Sequence, residues 1–153
     1  MNDKWDKRFL ELAKHVATWS KDPSTQVGAV IVNDLKHVVG MGFNGFAAGV
    51  EDSEERYNDR PLKYKMVVHA EVNAILQAGH RARGGTIYVY PAFGSPPVCN
   101  DCAKVAIQAG IKCIVGYAAE HVDHILVDRW KESLKLSEQM FSEVGIEVKV
   151  VTV

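Results

Sequence analysis

The 153-residue sequence predicts an α/β protein, a three-layer αβα sandwich around a mixed, mostly parallel five-stranded sheet. Two observations predict this fold class. Short apolar, β-branched runs alternate with longer segments of helical periodicity, which is typical of βαβ units. The first two apolar runs are separated only by a turn, which indicates an opening hairpin. The element order is αββαβαβαβ, and right-handed crossovers place helices on both faces of the sheet.

The first third of the chain predicts a helix followed by a hairpin. Apolar residues recur at helical spacing over 5–16, and Pro23 in "SKDPSTQ" ends that helix. The run "VGAVIVN" (27–33) predicts a strand that is covered on both faces. After a short turn, "HVVGMGF" (37–43) predicts its hairpin partner.

The rest of the chain predicts a long polar loop and three strand–helix alternations. Residues 44–65 are polar and charged and contain Gly45, Gly49 and Pro61, so we expect a functional or mobile loop there. The remaining helices are predicted over 69–79, 99–110 and 122–145, and the remaining strands over 84–92, 111–119 and 146–153. The length suits a single domain, 1–153.

Charge and cysteine content exclude several classes of function. The net charge of −1 provides no long-range field to gather nucleic acid or an anionic membrane. No apolar run approaches the ~20 residues that a membrane helix needs. The charged N-terminus has no signal-peptide core and the three cysteines are an odd number, so we expect a reduced cytoplasmic setting without a disulfide framework.

One motif resembles the fingerprint of dinucleotide-binding folds, but the segment after it does not fit such a fold. "GMGFNG" (40–45) matches the G-x-G-x-x-G pattern of dinucleotide-binding proteins. That pattern requires a helix directly after the strand, because the helix N-terminus holds the pyrophosphate. Here a polar loop follows, so the sequence does not predict a dinucleotide site.

Two helix starts carry the residues that predict a metal site. His69 and Glu71 in "VVHAEVNA" begin one predicted helix, and Cys99 and Cys102 begin the next. Both helices follow strand ends, where open α/β sheets hold their ligands. Zinc binds thiolate and imidazole groups, and a catalytic site provides three of them and leaves the fourth position to water. No fourth Cys or His is well placed, which favours a catalytic site over a structural one.

Alternatives remain for these residues. Cys99 and Cys102 could form a thioredoxin-like redox pair, although this leaves "HAE" unexplained. Glu71 could be a first-turn charge that the helix dipole favours, but a carboxylate beside zinc suits general acid/base work. Cys113, within an apolar strand, is expected to be a buried small hydrophobe.

H-x-E followed by C-x-x-C is the signature of zinc-dependent nucleobase deaminases. Over most of its length the chain resembles the deoxycytidylate (dCMP) deaminases of the cytidine deaminase superfamily. The resemblance depends on "SKDPSTQVGAVIVN", "GMGFNGF", "VVHAEVNAIL" and "CNDCAKVAIQAGIK".

This resemblance implies a cytidine deaminase-like fold, hydrolysis of dCMP to dUMP and ammonia, and one Zn²⁺ per chain. It implies that His69, Cys99 and Cys102 hold the zinc and that Glu71 shuttles protons. The residues expected to contact the substrate are Ser24, Gly28, Ala29, Asn44 and Asn73. It also implies a homo-oligomer, from dimer to hexamer, and regulation by dCTP and dTTP.

Competing functions stay open at this point. The chain could deaminate cytidine, a free base, a purine or another nucleotide, because "PAFGSPPV" (91–98) is expected to border the pocket and is unusually apolar. It could also be a zinc-binding module without turnover. A nucleic-acid deaminase would need a basic surface, which the net charge disfavours. For most of the cations Arg56, Arg60, Lys63 and Lys65 we expect a solvated surface rather than a phosphate clamp.

Overall fold

A computed structural model describes residues 3–118 and 124–152. The helices are α1 (Asp3–Ala17), α2 (Glu54–Asn58), α3 (Arg60–Met66), α4 (Ala70–Ala78), α5 (Asn100–Gln108) and α6 (His124–Val144). The strands are β1 (Gly28–Val32), β2 (Val38–Phe43), β3 (Gly45–Phe46), β4 (Val67–Val68), β5 (Thr86–Ala92), β6 (Cys113–Ala118) and β7 (Glu147–Val151). Every element that the sequence predicted is present. The predicted strand end at 119, the helix start at 122 and the final residue 153 lie outside the described residues.

Five strands form the central sheet in the order β2-β1-β5-β6-β7. Strand β1 pairs antiparallel with β2, which confirms the hairpin, and also antiparallel with β5. Strands β5, β6 and β7 are parallel. The sheet is mixed, as predicted, but parallel pairing accounts for two of its four strand pairs rather than for most of them. The departure lies at β1–β5: after the crossover through α4, β5 runs in the same direction as β2 but pairs with β1, which runs in the opposite direction.

Helices cover both faces of the sheet, so the predicted sandwich is confirmed. Apolar residues of α1, including Leu10 and Val16, pack with Val30 of β1 and Val115 of β6 on one face. On the other face α4, α5 and Phe141 of α6 enclose a second apolar cluster. The alternation of side chains along a strand divides β1 between these two clusters. Within the described residues, no helix is both long and apolar enough to cross a bilayer.

Two glycines let helices lie directly on the backbone of the hairpin. A Cβ at Gly28 would overlap the Ala13 carbonyl of α1, and a Cβ at Gly42 would overlap the Ala70 carbonyl of α4. Any larger residue would push the helix away from the sheet. The start of α4, which carries His69, is therefore set at a fixed height above β2.

The segment 44–65 is not the structureless loop that the sequence predicted. It contains β3, α2 and the first part of α3, and β3 pairs with β4. Ser53 caps α2 by accepting a hydrogen bond from the backbone N–H of Arg56. Asp59 caps α3 by accepting from Leu62, with Pro61 in the first turn. Capping residues and a first-turn proline are the signals that begin short helices, and they stabilise two of them here despite the polar composition.

Candidate active site

The metal-site residues stand at the N-termini of α4 and α5. His69 is the extended residue before α4, and its side chain makes no capping hydrogen bond, so the ring is available to other groups. Cys99 holds the same position before α5, where its Sγ accepts from the backbone N–H of Cys102 at 3.4 Å. Exposed N–H groups and the helix dipole favour a thiolate at such a position.

Three potential metal donors converge between these helices. The ligand atoms of His69, Cys99 and Cys102 all lie within 4.8 Å of one another. The His69 Nδ1 is 3.3 Å from the Cys102 Sγ and 3.4 Å from the Cys99 Sγ. Tetrahedral zinc with ordinary bond lengths would separate an imidazole nitrogen from a thiolate sulfur by about 3.6 Å. The donor set therefore fits zinc, and among the described residues no fourth His, Cys, Asp or Glu joins it.

Glu71 lies beside this set in the first turn of α4. Its side chain is buried, with 7% of the residue exposed, and its Oε2 accepts a hydrogen bond from the Cys102 thiol at 3.2 Å. Burial raises the pKa of the Glu71 carboxyl. The carboxylate borders the cavity described below, so it can reach both the donors and a bound molecule. We call His69, Glu71, Cys99 and Cys102 the metal cluster.

The charges within the metal cluster are linked. Hydrogen bonds from Cys102 and His69 hold the pKa of the Cys99 thiol down at about 4. The same contact with Cys99 raises the pKa of His69 to about 9. The Cys102 thiol, paired with Cys99 and buried, has its pKa raised. Zinc binds cysteine as thiolate and histidine as neutral imidazole, so binding would displace the protons that these three donors carry.

A cavity of about 340 Å³ opens onto the metal cluster. Its volume is at the small end of the range for small-molecule sites. Residues of the 20–27 loop, the β2–β3 junction and α3, all polar or charged except Val27, form what we call the loop wall: Ser24, Thr25, Val27, Asn44, Arg60, Lys63 and Tyr64. Five residues form what we call the apolar wall: Pro91, Phe93, Pro97, Trp130 and Leu134.

A buried ion pair holds the loop wall together. Lys63 and Asp22 are 5% and 3% exposed, and the Lys63 Nζ lies 3.0 Å from the Asp22 Oδ2 and 3.2 Å from its Oδ1. Asp22 Oδ1 also accepts from the backbone N–H groups of Ser24 and Thr25. The solvated interpretation is therefore wrong for Lys63, which fastens α3 to the loop 41 residues earlier in the chain.

Asn44, between β2 and β3, completes the loop wall. Its Oδ1 accepts from the Val27 backbone N–H at 2.8 Å, and its Nδ2 donates to the Thr25 carbonyl at 2.8 Å. The residue is buried and borders the cavity. Its side chain is thus engaged in shaping the loop, and Ser24, the second predicted substrate residue at this wall, is positioned by that loop.

The other three predicted substrate residues lie elsewhere. Gly28 faces α1 on the opposite side of the sheet, and Ala29 is enclosed in the apolar core with Ala74. Asn73 donates to the Phe43 carbonyl at 2.8 Å and so ties α4 to β2. None of the three borders the cavity as it is formed by the described residues. Val27, one position before Gly28, borders the cavity at the loop wall, where the sequence predicted Gly28 and Ala29.

The apolar wall was only partly foreseen. "PAFGSPPV" was expected to border the pocket, and Pro91, Phe93 and Pro97 do so. Trp130 and Leu134 of α6 were missed. The Trp130 ring packs edge-on against His69, with 6.2 Å between ring centroids and 78° between planes. Their only signal in the sequence is a spacing of four, which places two large apolar side chains on one face of a helix.

Comparison with known proteins assigns the chain to a family that is consistent with the three-donor set. The family model described as "Cytidine and deoxycytidylate deaminase zinc-binding region" matches residues 3–118. The chain belongs to this family. The resemblance drawn from the motifs is confirmed, and the protein is a deaminase.

Individual relatives of this deaminase extend the match along the chain. It is 43% identical over 150 residues to an uncharacterized deaminase in the luxG 3' region of Aliivibrio fischeri, covering 97% of this chain and 94% of that protein. It is 38% identical over 127 residues to the human deoxycytidylate deaminase, covering 78% and 67%. The dCMP deaminase of cyanophage S-TIM5, solved with dCMP and dUMP, shares the fold at a TM-score of 0.72 with 20% identity, covering 100% and 99%.

Proposed function

We propose that this deaminase hydrolyses dCMP to dUMP and ammonia, with one zinc ion held by His69, Cys99 and Cys102. The observation that carries the proposal is the buried carboxylate of Glu71, which stands next to a three-donor set and borders the cavity. The relatives named deoxycytidylate deaminase, from human, mouse and orangutan, support this substrate. An open coordination position and a buried proton carrier are what a hydrolytic deamination requires.

Glu71 moves the protons of the reaction. When bound, zinc supplies Lewis acidity that brings the pKa of a water molecule close to neutrality. Glu71 accepts a proton from that water and delivers it to N3 of the cytosine ring as the water oxygen bonds to C4. Glu71 then passes the remaining hydroxyl proton to the 4-amino group, and ammonia leaves as the C4 carbonyl forms. One carboxylate serves both transfers because they occur in succession, and its burial keeps bulk water from exchanging these protons.

The apolar wall keeps a second substrate class in view. Proline, phenylalanine, tryptophan and leucine side chains border the cavity and would also suit a nucleoside or free base. A panel of dCMP, deoxycytidine, cytidine, cytosine, adenine and guanine, followed by ammonia release, decides between these. A dCMP deaminase prefers the nucleotide, whereas a zinc-binding module releases no ammonia from any of them. Oligomer formation and responses to dCTP and dTTP stay predictions, to be measured on the same preparation.

The variant Glu71→Gln tests the mechanism. The amide keeps the shape of the side chain but cannot carry protons. Zinc content should therefore match the wild type, while kcat should fall by roughly 10²- to 10⁴-fold or more. Metal analysis and ammonia release are measured on the same sample. Glu11→Gln, an exposed change on α1, is the control and should retain activity. Wild-type turnover by Glu71→Gln would remove Glu71 from the mechanism.

A further inference from the structure

We propose that Arg60 recognises the 5′-phosphate of the substrate and so makes this deaminase selective for nucleotides over nucleosides. The inference rests on the proposed function, since it assigns one part of the substrate to one side chain of the same cavity. It gives the loop wall a specific task. The metal cluster handles the base, and the loop wall reads the group that distinguishes dCMP from deoxycytidine.

Of the four cations predicted in the 44–65 segment, only Arg60 is free, among the described residues, to bind a phosphate at the cavity. Arg56 is already engaged, because its Nη1 donates to the Glu51 carbonyl at 2.9 Å and its Nη2 lies 3.5 Å from the Glu51 carboxylate. Lys65 is exposed and does not border the cavity. Two cations remain at the cavity, Arg60 and Lys63.

Lys63 is excluded by its ion pair. Both carboxylate oxygens of Asp22 lie within 3.2 Å of its Nζ, and both residues are buried. The pair is neutral as a unit, so Lys63 adds little attraction for an anion, and Asp22 adds little repulsion. Drawing Lys63 toward a phosphate would leave the buried Asp22 carboxylate without an opposite charge, which is strongly unfavourable.

Arg60, unlike Lys63, has no carboxylate partner among the described residues. It borders the cavity, its side chain is exposed, and no carboxylate within the described part of the chain lies in ion-pair range. Its guanidinium can donate two parallel hydrogen bonds to a phosphate, a geometry that lysine cannot reproduce. The residue begins α3, three residues before Lys63, so the Asp22–Lys63 pair also fixes the helix from which Arg60 extends.

The surroundings of Arg60 add neutral donors. Ser24 and Thr25 border the same cavity, and their backbone N–H groups are held by the Asp22 carboxylate. None of the hydrogen bonds among the described residues uses the hydroxyl of either side chain. A guanidinium and two hydroxyl groups that border one cavity match the acceptor oxygens of a phosphate monoester.

Steady-state kinetics with dCMP and deoxycytidine test the proposal. For Arg60→Gln we expect kcat/KM for dCMP to fall roughly 10- to 100-fold, mainly through KM, because a charge-assisted hydrogen bond is lost. The value for deoxycytidine should stay within about twofold, since that substrate has no phosphate to lose. Arg60→Lys should recover part of the loss because the charge remains. Arg56→Gln, in the same segment but engaged with Glu51, is the matched control and should leave both values unchanged.

Titration with dUMP and deoxyuridine provides a readout that does not depend on turnover. Arg60→Gln should weaken binding of dUMP and not of deoxyuridine. Equal losses on both substrates, or no loss on dCMP, would overturn the assignment of Arg60 while the deaminase function stands. A wild-type enzyme that does not distinguish dCMP from deoxycytidine would also overturn it. Release of ammonia from neither compound would overturn the proposed function itself.

Discussion

The metal cluster and the loop wall face the same cavity but are assembled differently. The metal cluster consists of two pairs of residues, each pair close in sequence, whereas the loop wall is held by contacts between residues that are far apart in sequence. His69 and Glu71 are two residues apart, and Cys99 and Cys102 three. The pair that holds the loop wall, Asp22 and Lys63, spans 41 residues. Each half of the metal cluster is thus positioned by one helix start, whereas the loop wall needs α3 and Asn44 to be folded against the 20–27 loop before its long-range contacts exist.

This difference separates chemistry from substrate choice. Two helix starts position the metal cluster, and the close approach of α4 to Gly42 fixes one of them. The loop wall depends on a single buried ion pair and on the hydrogen bonds of Asn44. We therefore expect changes in the metal cluster to abolish turnover with any substrate, and changes in the loop wall to act on stability and substrate preference.

The largest effect is expected from Cys102→Ala in the metal cluster. Two donors remain, which is too few to hold zinc firmly, so the purified variant should contain well below one zinc per chain and show no measurable turnover. Metal analysis and ammonia release measure this. Cys113→Ala is the matched control, because that cysteine is buried on the α1 face of the sheet and should leave the zinc in place. Stoichiometric zinc in Cys102→Ala would exclude Cys102 as a ligand.

The next effect is expected in the loop wall. Lys63→Met keeps the length of the side chain but leaves the buried Asp22 carboxylate unpaired, so we expect a loss of about 3–5 kcal/mol in the free energy of unfolding. Urea denaturation measures it.

The double variant Asp22→Asn/Lys63→Met sharpens this test. The asparagine oxygen can still accept from Ser24 and Thr25, and no charge is left buried. The double variant should therefore be more stable than Lys63→Met alone. A double variant that unfolds at a lower urea concentration than the single one would show that the ion pair is not what holds the loop.

The smallest effect is expected outside both regions, at Cys113. Burial raises the pKa of its thiol to about 11, compared with an ordinary value of 9.0. Above pH 9 the unfolded chain releases this proton while the folded chain retains it, so stability should fall as the pH rises from 9 to 11, by about 2 kcal/mol. Denaturation of wild type and Cys113→Ala across this range isolates the contribution. Parallel curves would mean that Cys113 titrates normally.

The sequence predicted the metal cluster because its geometry is local. "HAE" and "CNDC" each place their side chains through one helix start, and the sheet order brings the two helices together. The hairpin and the alternating elements were also predictable, since burial on both faces imposes an apolar, β-branched strand such as β1.

The rest depends on contacts between distant residues. The pattern of charges in 44–65 indicated a solvated loop, and only the folded connection reveals that Lys63 reaches Asp22. The strand β1 was assigned to the cavity at Gly28 and Ala29, whereas the approach of α1 and α4 leaves Val27 at the wall. The antiparallel β1–β5 pairing was missed because the helical pattern of α4 predicts a crossover but does not show that β5 pairs with β1 rather than with β2.

The contact between Trp130 and His69 has a consequence for how relatives of this protein diverge. The stretch that the family model matches ends at residue 118, yet two side chains that border the cavity, Trp130 and Leu134, come from α6, twelve and sixteen positions later. Two members of the family can therefore keep all four residues of the metal cluster and differ only in this C-terminal helix. Changes in α6 can then alter which substrate the cavity accepts without replacing any residue of the metal cluster.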